Sequence, residues 1–192
     1  MSTDDDPGYG AVFAAHERSL SPEERARGEA RQAVDAAILR MAGAAGTEVR
    51  QRPAWPGAKA CTISYADPAA GMGYARMLAD AARRAEHSYI QHAREEGLTW
   101  RQVGQALNLA RVAGERGAPL AEVAFEHAAG AEHASAWESL TFYWDCPACG
   151  QGIRDHGPYN GHPDDCEPGH AGGCLRQAAA IAAYEAEQAG QD

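Results

Sequence analysis

The sequence predicts a mainly α protein: a helical bundle with a short β element, followed by a C-terminal module held by a metal. Three observations carry this. Apolar residues recur at helical intervals over several stretches before residue 130, three of them opened by a Ser, Asp or Thr at the capping position. Period-two alternation is confined to residues 47–66 and to one aromatic run before Cys146. Four of the five cysteines and three of the eight histidines fall between Cys146 and Cys174. The expected organisation is an unstructured arm over 1–20, a helical domain over 21–135 and a metal module over 136–192.

Order is predicted to begin at Ser21. Ser21-Pro22-Glu23-Glu24 places a capping serine, a proline at the first helical position and a glutamate three residues after the cap. Ala26, Ala30, Val34, Ala37, Ile38 and Met41 then form an apolar stripe, with Arg25, Arg27, Glu29, Arg31 and Asp35 on the solvated side. In residues 47–66, Cys61, Ile63 and Tyr65 alternate with polar residues after Pro53, Pro56 and Gly57, which reads as a strand or hairpin. Cys61 is expected there as a small buried hydrophobe. Arg50 and Arg52 beside Trp55 form either a phosphate-touching wing or an ordinary loop.

Asp67-Pro68 opens a long helix to about Glu96, with Ala75, Leu78, Ala82, Tyr89, Ile90 and Ala93 as its buried side. Gly97 ends it. Thr99-x-x-Gln102 is a capping box for a short helix with Trp100, Val103 and Leu107 inward, where Gly104 permits close approach. Asn108 suits a left-handed turn. Ala110–Arg116 follows as a helix of scarcely two turns without a capping side chain, stopped by Gly117 and Pro119. A further helix from Pro119 sets Leu120, Ala124, Phe125 and Ala128 against Glu122 and Glu126. His87, His92, His127 and His133 read as ordinary surface or core histidines.

Residues 89–109, YIQHAREEGLTWRQVGQALNL, resemble the GLTWxxIGxAL run of helix-turn-helix domains in sigma-factor-like and small regulator families. Gly97, Leu98, Thr99, Trp100, Val103, Gly104, Ala106 and Leu107 carry the match, over about a tenth of the chain. The resemblance implies a DNA-binding regulator whose following helix enters the major groove. In it Arg101, Arg111 and Arg116 would contact backbone or bases, with Glu115 weakening the local field.

The aromatic run Ser139–Asp145 reads as a strand leading into Cys146-Pro-Ala-Cys149-Gly, a turn whose backbone N–H groups would face thiolate sulfur. Cys146, Cys149, His170 and Cys174 have the spacing Cys-x2-Cys-x20-His-x3-Cys, that of four-ligand structural zinc sites. Cys166 is the fifth candidate, with His156 and His162 as spares. After Cys174 a stripe of Leu175, Ala178, Ala179, Ala182 and Ala186 predicts a terminal helix. On spacing, the module resembles a treble clef or zinc ribbon with three cysteines and one histidine. Asp145-Cys146-Pro147-Ala148-Cys149 evokes zinc deaminases, but no upstream His-x-Glu accompanies it, so an enzyme is not expected.

The formal charge of −10 is unevenly placed. Residues 1–75 carry 8 basic and 10 acidic side chains, 76–116 carry 7 and 5, and 117–192 carry 2 and 12. A phosphate-binding surface therefore belongs to the middle, and the last third should repel nucleic acid and anionic membranes. No apolar run spans a bilayer and no signal pattern opens the chain, which points to the cytoplasm; clustered cysteines there are metal ligands rather than disulfides. The functional expectation is a non-enzymatic, zinc-containing DNA-binding regulator. The alternative is an acidic protein-interaction adaptor or antagonist on the same fold. Duplex DNA or a protein is the partner, and a homodimer is left open.

Overall fold

A computed structural model describes residues 19–54, 56, 61–130, 140–159 and 161–189. The arm up to residue 18, Trp55, His133 and Ser139 lie outside the described residues. The chain is mainly α with two small antiparallel sheets. It divides into two compact units, Met1–Ala82 and Arg83–Asp192.

In the first unit, helix α1 (Pro22–Ala44) starts on the expected capping box: Ser21 Oγ accepts from Glu24 N, and the Glu24 carboxylate accepts from Ser21 N. Its stripe is less used than expected. Every residue from Ser21 to Asp35 is exposed, and Ala42 alone is buried among the residues of α1. Strands β1 (Val49–Pro53) and β2 (Thr62–Ala66) form a hairpin, one of the two expected arrangements, in register from Val49 opposite Ala66 to Pro53 opposite Thr62. Cys61 is exposed rather than buried, because the hairpin has solvent on both faces at its loop end. Helix α2 (Pro68–Glu95) begins where Asp67 Oδ1 accepts from Ala69 N at 3.1 Å, and Tyr74 hydroxyl meets Thr47 Oγ1 at 2.8 Å.

The second unit contains the end of α2, helices α3 (Trp100–Ala106), α4 (Ala110–Arg116) and α5 (Leu120–Ala128), strands β3 (Phe142–Asp145) and β4 (Gly152–Asp155), and helices α6 (Pro163–Cys166) and α7 (Leu175–Ala189). The α2–α3 corner follows the sequence closely. Gly97 has φ +96°, and Thr99 and Gln102 complete both bonds of their capping box. A Cβ on Gly104 would lie 2.9 Å from Leu120, so the missing side chain sets how closely α3 and α5 pack. Asn108 has φ +56° and α4 lacks a side-chain cap.

One apolar core joins this helical corner to the cysteine-bearing strands: Ile90, Trp100, Val103, Ala124 and Phe125 pack in the same cluster as Phe142, Trp144, Cys146, Ile153 and Cys174. Trp100 meets Phe125 and Phe142 edge-on at 5.3 Å. Phe142 and Trp144 point inward while Tyr143 and Asp145 point out, the alternation of a half-buried strand. Of the residues expected on the buried side of α2, Ile90 is buried, whereas Tyr89 is 76% exposed. Helix α7 reverses the expectation. Leu175, Ala178, Ala179, Ala182 and Ala186 are exposed, and Arg176, Gln177, Ala180, Ile181 and Tyr184 are half-buried instead.

Candidate metal centre

The four cysteine and histidine ligands expected from spacing converge. Cys146 directly follows β3, and its N–H donates to Gln151 O at 2.9 Å while its carbonyl accepts from Gly150 N at 2.7 Å. This closes a knuckle that returns the chain into β4. Cys146 Sγ lies 3.8 Å from Cys174 Sγ, and Cys149 Sγ lies 3.7 Å from His170 Nδ1. All four donor atoms are within 4.8 Å of one another, close enough to hold one metal ion. Three soft thiolates and an imidazole are the donors that suit a thiophilic cation. Around an ion with bonds of ~2.3 Å to sulfur and ~2.0 Å to nitrogen, tetrahedral edges come to roughly 3.5–3.8 Å, close to the Cys146–Cys174 and Cys149–His170 separations. Among the described residues Cys166, His156 and His162 stay outside the cluster.

The protein prepares these ligands unequally. Backbone N–H groups of Ala171 and Gln151, with His170 and Cys146, hold the Cys149 thiol down to about 6, favouring thiolate. Burial pushes the Cys146 thiol up, against N–H bonds from Ala148 and Cys149. The His170 side chain is wholly enclosed, and its Nε2 makes no hydrogen bond. Glu167 Oε2 stands 3.6 Å from that nitrogen, just beyond hydrogen-bond length.

Sequence reasoning missed what surrounds the cluster. Arg94, near the end of α2, is 4% exposed, and Asp155, at the end of β4, is 1% exposed. Arg94 Nη2 lies 3.0 Å from Asp155 Oδ2 and also donates to Glu167 Oε1, while Nη1 donates to Leu98 O. Asp155 further accepts from the indole N–H groups of Trp100 (3.1 Å) and Trp144 (3.2 Å) and from Gly157 N (2.9 Å). Its lone pairs are occupied, so it is placed as a structural acceptor rather than a base. Arg176 stacks on Trp144 with 4.0 Å to the ring centroid and donates to the carbonyls of Arg94 and Glu95 at the end of α2. That grip explains the orientation of α7: the guanidinium must face inward, which turns the alanine stripe out. The one sequence hint was that Arg94, in an Ile90-x3-Arg94 pair, lies one turn below a core residue.

Of the three arginines expected at a nucleic-acid surface, two are paired with carboxylates. Arg101 is exposed on α3. Arg111 pairs with Glu115 within α4, and Arg116 pairs with Glu126 of α5 at 2.5 Å. Five positions apart, Arg111 and Arg116 leave α4 on different faces. Glu126 also accepts from Tyr159, whose hydroxyl is pushed up to about 12 by burial and by that carboxylate. The second unit as a whole carries eight arginines against sixteen carboxylates. No helix among the described residues is long and apolar enough to cross a membrane. No family model, curated protein or solved structure matches this chain.

Proposed function

We propose that the chain is a non-enzymatic interaction protein: a zinc-fastened helical unit that binds a basic protein partner through its acidic surface. The observation that carries this reading is the pairing of Arg111 with Glu115 and of Arg116 with Glu126, within a unit whose carboxylates outnumber its arginines two to one. A duplex presents dense negative charge, and a unit of this sign meets it with net repulsion. The zinc assignment is supported by the three-sulfur, one-nitrogen donor set and by its two close pairs, Cys146 with Cys174 and Cys149 with His170. Four protein ligands leave no open position for water or substrate, which is the pattern of a structural ion. Zinc thiolates suit a reducing compartment, consistent with the cytoplasm.

The second reading is the DNA-binding regulator. The capped α3, the left-handed Asn108 and the exposed Arg101 favour it. One experiment separates the two: fluorescence anisotropy of labelled duplex DNA across a salt series, beside capture of partners from nuclease-treated extract. The proposal expects a flat DNA signal and a basic partner released by added salt. Duplex binding that falls steeply with salt and is lost in Arg101→Glu overturns it in favour of the regulator.

A further inference from the structure

Metal uptake and the geometry of the α2–α3 corner are, we infer, one linked equilibrium, with Glu167 and Arg94 as the positioning residues between them. The inference rests on the metal reading above and adds what that metal controls. Two routes run from the ligands to the same corner. In the first, His170 presents Nδ1 to Cys149 Sγ and keeps Nε2 buried, 3.6 Å from Glu167 Oε2. A metal on Nδ1 leaves the ring proton on Nε2, and a buried N–H requires an acceptor. Glu167 Oε2, 3.6 Å away, is the carboxylate oxygen placed to take that proton once the ion binds, and its other oxygen holds Arg94. Arg94 in turn grips Leu98 O, inside the corner, and Asp155, which takes the indole N–H of Trp100 at the first position of α3.

The second route is shorter. Arg176 follows Cys174 by two residues and donates to the carbonyls of Arg94 and Glu95 that end α2. The Arg94 carbonyl also accepts from Gly97 N at 3.1 Å, and Arg176 adds a side-chain donor to it and to the Glu95 carbonyl, closing the helix end that the corner begins from. Placing Cys174 on the metal places Arg176 as well. Because linkage is reciprocal, a partner that engages α3 changes metal affinity by the same factor that metal changes affinity for the partner.

The test is a cycle of Glu167→Gln, Trp100→Phe and the double variant. Zinc affinity is measured by competition with a chromophoric chelator, and the cobalt(II) absorption spectrum reports the ligand set. Glu167→Gln is expected to weaken zinc by about 10- to 100-fold while the tetrahedral cobalt spectrum persists. Trp100→Phe keeps an aromatic ring but loses the five-membered ring that carries the indole N–H; it should weaken zinc by about fivefold although Trp100 is not a ligand. The double variant should lose less than the product of the two. Amide hydrogen exchange on zinc-saturated Glu167→Gln gives a readout that does not depend on Trp100→Phe folding: Leu98 N–H, bonded to Ala93 O at 2.9 Å, should exchange about fivefold faster. An unchanged Leu98 rate, or zinc affinities that combine as a simple product, overturns the linkage. Wild-type protein that binds no zinc would instead overturn the metal reading itself.

Discussion

Arg94 and Asp155, sixty-one positions apart in the chain, form a buried ion pair with Nη2 3.0 Å from Oδ2. The pair sits where α2 ends and β4 ends, so it joins the helical corner to the strands that carry the knuckle. Removing one member strands the other in a low dielectric. Arg94→Met is expected to destabilise the zinc-loaded protein by about 3–5 kcal/mol, and adding Asp155→Asn should recover part of the loss. Urea unfolding at fixed free zinc measures both. A loss below about 1 kcal/mol would show that the pair is not what joins these elements.

Cys149 should be the most reactive thiol of the metal-free protein at pH 7. Its thiol is held at about 6 by the backbone N–H groups and the imidazole beside it. For a lowered value the anionic form persists as pH falls until about 6, so alkylation at Cys149 should level off above pH 7. In the metal-free fold, the stability linked to this group is present at high pH and is lost as pH falls through about 6. Timed iodoacetamide labelling with mass spectrometry reads the order of modification, and bound zinc should protect Cys149 while leaving Cys61 open.

Gly157 is expected to tolerate no side chain. It has φ +79°, and a Cβ would stand 2.5 Å from Phe125 Cδ1, in the middle of the core. Gly157→Ala should cost about 2–4 kcal/mol, the sum of left-handed strain and overpacking. Gly117→Ala is the control: φ is +61° with open space around the Cβ, so about 1–2 kcal/mol from the backbone alone is expected. Thermal unfolding of the two variants side by side distinguishes them.

The face that α7 buries can be checked with two substitutions. Leu175 is 82% exposed, so Leu175→Lys should change stability by no more than about 0.5 kcal/mol. Ile181 is half-buried, and Ile181→Ala should cost about 1 kcal/mol or more. The opposite ranking would restore the alanine stripe as the packed face.

Much of the local structure was legible because it depends on neighbours in sequence. Both capping boxes, the left-handed Gly97 and Asn108, the uncapped α4 and the hairpin over 49–66 involve residues a few positions apart, where backbone chemistry decides. The ligand set was legible for a related reason: few residue types bind a thiophilic metal, and four of them stood at a recognisable spacing. The faces of α1, α2 and α7 were misread where alanine dominates, since alanine costs little on either side and its period does not show which side is covered.

By itself, then, the sequence determined the mainly helical class, the corner between α2 and α3, and which four side chains can share an ion. The tertiary structure alone decided that Arg94 is an interior residue, that α7 packs on Arg176 and Ile181, and that Arg111 and Arg116 are engaged by carboxylates. The physical reason is range. Caps and ligand spacings are set within a turn or a loop, whereas burial of a charge depends on partners sixty or seventy residues away, such as Asp155 and Glu167 for Arg94, which no local pattern announces.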